Sequence, residues 1–321
     1  MVDHYQGAID THAHIYPARY LDMLEEIGVD PQTTQIARNL HADSTYDDMQ
    51  RRIEWMNKAG VATQILAVTP QIPSAPEATR SLDAARWIND HYAGVVGDYP
   101  GRFLAYGALP LPHIPESLAE IDRIFDELHF VGIGLPTFLP GGQSLTDKVL
   151  EPVWEALNER HAIVNIHATG AGAYSKQITD FWLTWVNGAP IEDAIAVLQL
   201  LKRGIPQRYP NIRFHIAHLA GDLAFMWQRL EDNYTDWNSF PSSPNEAIRK
   251  MWFDAANFTE PALALAAEVY GASQIMGGSD MPYFQEELYV RAFDYIRSSR
   301  LSEADKHAIL TDNARRLFGM D

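Results

Sequence analysis

Five residues of this sequence have the types and spacing to build a metal centre. His12 and His14, in Asp10-Thr-His-Ala-His, stand two apart, so on an extended chain both imidazoles project from one face. Two neutral imidazoles on one face supply half of a four-ligand site. A pair of hydrogen-bonded histidines at a strand end would show the same spacing. Three further residues narrow the choice. His167 ends the apolar run Ala162-Ile-Val-Asn-Ile-His, His218 ends Ile212-Arg-Phe-His-Ile-Ala-His, and Asp280 ends Ile275-Met-Gly-Gly-Ser-Asp. A lone histidine there is ordinarily structural, and a lone aspartate a cap or turn former. Five such residues at the ends of four predicted strands are better explained by one shared ion. His215, three residues before His218, is expected to face the opposite way, toward the helices, as a packed or hydrogen-bonded core residue. His4, His41, His91, His113, His129, His161 and His307 fall in expected loops or helices, and nothing places them at the site.

The elements that must position these residues follow from alternation. Apolar runs at 8–11, 62–68, 103–109, 132–135, 162–168, 212–219, 251–256 and 275–278 read as strands, with amphipathic helical patterns between most of them. In one such helix Tyr46, Met49, Ile53 and Met56 form the apolar stripe, with Arg51 and Arg52 outside it, Ser44 as its cap and Gly60 as its left-handed stop. The last helix starts at Ser302, carries Leu310, Ala314 and Leu317 on one face and stops at Gly319. Eight strands alternating with helices in a chain of 321 residues predict a single (β/α)8 TIM barrel spanning 1–321, with a doubly wound open sheet as the competitor. Such a barrel does its chemistry at the strand C-terminal ends, where the five residues fall. The stretch 233–246 is expected to be a loop that could serve as a wall or lid. Gly170-Ala-Gly172 after a strand nearly reads as a dinucleotide fingerprint, but the third glycine is missing.

Composition excludes several classes. With 25 Lys+Arg against 42 Asp+Glu the formal charge is −17, which repels phosphate backbones and anionic lipid, so neither nucleic acid nor a membrane surface is an expected partner. No apolar run approaches a membrane span, and the N-terminal residues have no signal-peptide layout, so a cytoplasmic location is expected. There is no cysteine, which excludes disulfides, a thiolate nucleophile and thiolate metal sites. Any metal is held by histidine and carboxylate.

The order HxH, His, His, Asp on alternating units resembles the amidohydrolase superfamily. More narrowly, it resembles the mononuclear branch that includes aminocarboxymuconate semialdehyde decarboxylase, the aromatic acid decarboxylases and related hydratases. The resemblance runs essentially end to end and rests on IDTHAHIYP (9–17), DYPGRFLAYGALPLP (98–112), HLAGDLAFMWQR (218–229), GGSDMPY (277–283) and TDNARRLFG (311–319). Binuclear relatives bridge their metals with a lysine or glutamate ending the fourth strand, and 128–146 contains no Lys, Asp or Glu, which implies one ion. Deaminase-like relatives carry a glutamate where this chain has Gly170.

Roles follow from the resemblance. His12, His14, His167 and Asp280 would ligate one divalent ion, zinc by ligand type with manganese as the alternative. His218 would act beside it, and Asp280 would double as a proton carrier. Arg229 matches an arginine that binds substrate carboxylate, in some relatives from a neighbouring subunit, which implies a homodimer or higher homo-oligomer; a surface salt bridge to Glu231 or Asp232 is the plainer alternative. Trp182 and Trp185 could form an aromatic wall. The expected activity is non-oxidative decarboxylation of a small aromatic or unsaturated carboxylic acid. The alternative is hydrolysis of a lactone, ester or amide by hydroxide generated on the metal. Hydration of a conjugated acid is a third reading, disfavoured by Asp280.

Overall fold

In a computed structural model the chain is described from residue 7 to residue 320; His4 lies outside these residues. All eight expected strands form: β1 (Ala8–Ala13), β2 (Val61–Leu66), β3 (Phe103–Ala108), β4 (Gly132–Pro136), β5 (Ile163–His167), β6 (Arg213–Ile216), β7 (Trp252–Asp254) and β8 (Ile275–Met276). They make one parallel sheet in sequence order. A parallel bridge between Ala13 and Met281, with Thr11 N donating to Gly277 O, brings the last strand back to the first. The architecture is the expected (β/α)8 barrel, with helices between the strands shielding its outer face.

The register of β1 carries a bulge. Asp10 pairs with Gln64 and Ala13 with Leu66, so three steps on β1 oppose two on β2. The bulge changes the phase of the side chains. Asp10 reaches Tyr289 on the helix Glu287–Arg297, whereas His12 and His14, beyond the bulge, turn inward.

Below the histidines the barrel is filled by Ile9, Ile65, Ala67, Tyr106, Ile163 and Met276. The C-terminal helix Asn313–Phe318 closes this lower end by packing Ala314 and Leu317 against them. The helix before it opens at Ser302, whose hydroxyl accepts from Asp305 N at 3.1 Å, and the chain turns left-handed at Gly319, as its sequence pattern indicates.

Two expectations are corrected in the helical shell. The helix Tyr46–Lys58 is capped by Thr45 instead of Ser44, whose hydroxyl pairs with His91 Nε2 at 2.7 Å. Its buried face includes Arg52 rather than Tyr46, which is 73% exposed. Arg52 donates to Gln64 Oε1 at 3.0 Å and to the His14 carbonyl at 2.7 Å. Periodicity counts an arginine as surface, but a carbonyl exposed where β1 ends needs a donor. The expected loop 233–246 is mostly helical. Trp227–Trp237 is one helix, ended by left-handed Asn238, and Ser243 caps a second at Pro244–Ile248. Its Asn, Ser and Pro residues are helix stops and starts.

Candidate metal centre and active-site cavity

Each ring of the HxH pair turns its Nδ1 edge toward an oxygen. His14 Nδ1 donates to the Ala67 carbonyl at 3.0 Å, and His12 Nδ1 lies 3.0 Å from Asp254 Oδ2. His167, at the end of β5, holds the Ala168 carbonyl at 2.7 Å through Nδ1. An imidazole that donates from Nδ1 presents the Nε2 lone pair. The Nε2 atoms of His12 and His167 are buried without a hydrogen-bond partner, and the approach of His12 Nδ1 to Asp254 is an ion-pair contact that lacks hydrogen-bond geometry. Asp280 completes the group: its Oδ1 lies 3.3 Å from His12 Nε2 and 3.2 Å from His14 Nε2. One ligand atom from each of His12, His14, His167 and Asp280 falls within 4.8 Å of every other. Aligned lone pairs, a carboxylate and unpartnered buried nitrogens fit one divalent ion.

Asp280 reaches this position through local backbone strain. The chain leaves β8 at Gly277, and Asp280 takes φ 57° while its N–H donates to the His12 carbonyl at 2.8 Å. Asp10 fixes the approach by accepting from Ser279 N at 3.0 Å and Ser279 Oγ at 2.7 Å. Gly278 is required by space. A Cβ there would stand 2.9 Å from the Asp254 side chain and 3.0 Å from that of His12.

His218 stands beside the four. The strand ends at Ile216, and His218, Leu219 and Ala220 turn left-handed with φ of 52–55°. That turn swings His218 Nε2 to 3.8 Å from Asp280 Oδ2, while Nδ1 is 2.8 Å from Asp193 Oδ2 on the helix Ala189–Lys202. The adjacent Glu192 accepts from Thr137 Oγ1 at 2.9 Å, Thr169 N at 2.7 Å and Ala173 N at 3.2 Å, holding the loop after β5.

Charge balance in the centre is set by these pairings. Burial opposes a charge on His218, but Asp193 and Asp280 outweigh it and hold its pKa well above the ordinary value. Burial likewise opposes the charge of Asp280, yet His12, His14 and His218 keep its carboxyl well below the usual range. His167 is pushed well below the ordinary histidine value by burial and by the neighbouring imidazoles, so it is neutral and free to ligate.

The centre opens into a cavity of about 390 Å³, a size suited to a one-ring molecule. His167, His218 and Asp280 stand at its base, and Ile36, Trp185, Val186, Phe258, Tyr283 and Phe284 form much of the wall. Trp185 stacks on Tyr283 with centroids 6.5 Å apart. Trp182 is 91% exposed and is not part of this wall. Gly170 serves that wall: at φ 77° it lies under Trp185, and a Cβ would meet the indole at 2.4 Å.

Arg229 lies exposed on the helix Trp227–Trp237, away from the cavity lining of its own chain. Among the described residues neither Glu231 nor Asp232 pairs with it; they hold Ser243 and Gln228. The segment 233–246 does not line the cavity either. His41 pairs with Asp48 in a separate groove. His215 is a hydrogen-bonded core residue but faces the barrel interior, not the helices. It contacts Tyr106 and Asn165 there, because the turn after Ile216 breaks the alternation that related it to His218.

Sequence reasoning missed Asp193 and Asp254. Asp254 had a weak signal, as the one acid inside the seventh apolar run 251–256; Asp193 had none, since it is one of many acids on amphipathic helices.

Eight parallel strands closed into a barrel, with a His/Asp group at their C-terminal ends that could hold one metal ion, define the class of scaffold. Residues 9–320 match the amidohydrolase family model, and the chain belongs to that family. It is 28% identical over 333 residues to 2-amino-3-carboxymuconate-6-semialdehyde decarboxylase of Dictyostelium discoideum, covering 98% of this chain and 92% of the relative. It is 26% identical over 327 residues to gamma-resorcylate decarboxylase of Rhizobium sp. strain MTP-10005, covering 93% and 98%. A solved dihydroxybenzoic acid decarboxylase of Polaromonas sp. JS666, with bound manganese and 2-nitroresorcinol, shares the fold at TM-score 0.84 and 23% identity, covering 98% of this chain and 97% of that one.

Proposed function

We propose that this chain is a metal-dependent carboxy-lyase that removes carbon dioxide, without oxidation, from a small aromatic or unsaturated carboxylic acid. The observation that carries this reading is the His218–Asp193 pair at the base of an aromatic-lined cavity, beside a four-residue ligand set. Relatives named as decarboxylases over nearly the whole chain support it.

His12, His14, His167 and Asp280 would hold one divalent ion, zinc by ligand type and manganese as the alternative. When bound, that ion supplies positive charge that orients and polarises the carboxylate or a neighbouring hydroxyl. Trp185 and Tyr283, stacked on each other in the cavity wall, flank the ring and exclude water. His218, charged through Asp193, delivers its Nε2 proton to the carbon bearing the carboxylate. The bond to the carboxylate then breaks, its electron pair restores the conjugated system, and carbon dioxide leaves. Solvent returns the proton to His218. Asp280, 3.8 Å from His218 Nε2, serves both as ligand and as a proton carrier on the same edge.

The functional unit in this reading is one barrel domain, working in the cytoplasm as a homodimer or higher homo-oligomer. Exposed Phe181, Trp182 and Val186 after β5, and exposed Phe225 and Trp237 on either side of Arg229 in the sequence, support association with a second copy, whose substrate Arg229 would meet. Among the described residues no helix is long and apolar enough to cross a membrane.

The test is turnover of zinc-loaded protein in D₂O with a panel of hydroxybenzoates, conjugated dicarboxylates and lactones. Loss of a carboxyl with deuterium appearing at that carbon is expected. Ring opening or acid release with no new carbon–deuterium bond would make the protein a hydrolase instead.

A further inference from the structure

Beneath the ligand set, the barrel interior holds a polar column that a packed core does not need. Its members are Tyr106 on β3, Asn165 on β5, His215 on β6 and Asp254 on β7, all buried, with Tyr106 packed among Ile9, Ile65, Ile163 and Met276. Apolar residues of similar volume would ordinarily fill such a space at least as stably.

The contacts set a direction in the column. Tyr106 Oη lies 2.8 Å from His215 Nδ1, and Asn165 Nδ2 lies 3.2 Å from the same nitrogen. An amide N–H and a phenol O–H both aimed at Nδ1 make it the acceptor, so the His215 proton is on Nε2. That edge faces Asp254 Oδ2 at 3.4 Å. The same Oδ2 lies 3.0 Å from Nδ1 of His12. Asp254 Oδ1 accepts from the backbone N–H of His218 at 3.1 Å and of Ala256 at 3.2 Å. One carboxylate therefore touches the ring of one proposed ligand and the backbone of the proposed proton donor.

We propose that Asp254 is the positioning residue of the centre and that His215, Tyr106 and Asn165 brace it from below. Asp254 holds His12 in the tautomer that presents Nε2, and pins the left-handed turn that aims His218. The inference rests on the metal-centre reading above. Its consequence is that metal affinity depends on Tyr106, a phenol that touches none of the four ligands.

The experiment is zinc affinity by competition with a chromophoric chelator at fixed pH, with thermal midpoints of the metal-free proteins, for wild type, Asp254→Asn and Tyr106→Phe. Loss of an oriented partner behind a ligating histidine typically weakens binding by ~10–100-fold, which is the expectation for Asp254→Asn. Tyr106→Phe, which removes one oxygen, is expected to weaken zinc binding severalfold with the metal-free midpoint nearly unchanged. Should Asp254→Asn not fold, Tyr106→Phe decides. Wild-type zinc affinity in Tyr106→Phe, with or without a lowered midpoint, would make the column structural and overturn the proposal. A wild-type protein that binds no zinc would overturn the metal-centre reading itself, and this one with it.

Discussion

Replacing Asp193 by asparagine isolates the proposed proton donor from the proposed metal ligands. The carboxylate lies 2.8 Å from His218 Nδ1 and belongs to a helix that supplies none of the four ligand atoms. Asparagine keeps the size of the side chain and removes its charge. A hydrogen bond to a charged group contributes ~1.5–3 kcal/mol, and at ~1.36 kcal/mol per decade this corresponds to a fall in kcat of roughly 10–150-fold. Removing the imidazole itself, in His218→Asn, is expected to cost the larger factor of general acid catalysis, about 10²–10⁴. Initial rates of carbon dioxide release on the substrate found in D₂O provide the assay, with metal content measured on the same samples. Asp193→Asn should retain its metal and its KM and lose kcat. If kcat stays within about twofold of wild type while His218→Asn is inactive, the reasoning about charge on His218 is wrong. If metal content falls in proportion to kcat, Asp193 supports the ligand set instead.

Gly170→Ala places a methyl where Trp185 now rests; overpacking of this kind costs about 1–3 kcal/mol, so KM should rise roughly tenfold with metal content intact, and an unchanged KM would remove Trp185 from the substrate wall. Half-buried His91, stacked on Trp87 and bonded to Ser44, has its pKa lowered by burial. Its folded value lies below the unfolded one of ~6.5, so protons favour the unfolded chain and its contribution, intact above ~6.5, is lost as pH falls through the folded value. Urea unfolding at pH 7.5 and 5.5 should therefore show the stability difference between wild type and His91→Gln shifting toward the variant at the lower pH; a pH-independent difference would contradict this. Leu317→Ala opens the lower end of the barrel and should cost ~2–5 kcal/mol in the same measurement, against under ~1 kcal/mol if the C-terminal helix were only loosely docked.

The strands were legible because a parallel barrel buries both faces, so each strand is a short apolar run that stands out between amphipathic helices. The candidate ligands were legible for a related reason. A histidine or aspartate ending such a run has left the core at the one rim where the fold does its chemistry. His12, His14, His167 and Asp280 all stand out this way, and the structure brings them within 4.8 Å. Asp254 does not stand out this way: it lies inside the run 251–256, and only the structure shows that its strand ends there.

Local pattern failed where a long-range partner decides the side chain's surroundings. Arg52 reads as surface by period, yet it is buried because the His14 carbonyl, 38 residues away, needs its donor. Strand alternation from His218 puts His215 on the outer face, but three left-handed residues after Ile216 break that alternation and His215 points inward. Asp193 was invisible. Nothing in its helix distinguishes it from other acids until His218 arrives 2.8 Å away. Residue type and strand-end position, which one run of the chain can encode, determined the candidate ligands. Tautomer, charge on His218, the cavity wall and the column beneath the centre were decided only by the tertiary structure, because each depends on which distant atoms share a few ångströms of low-dielectric space.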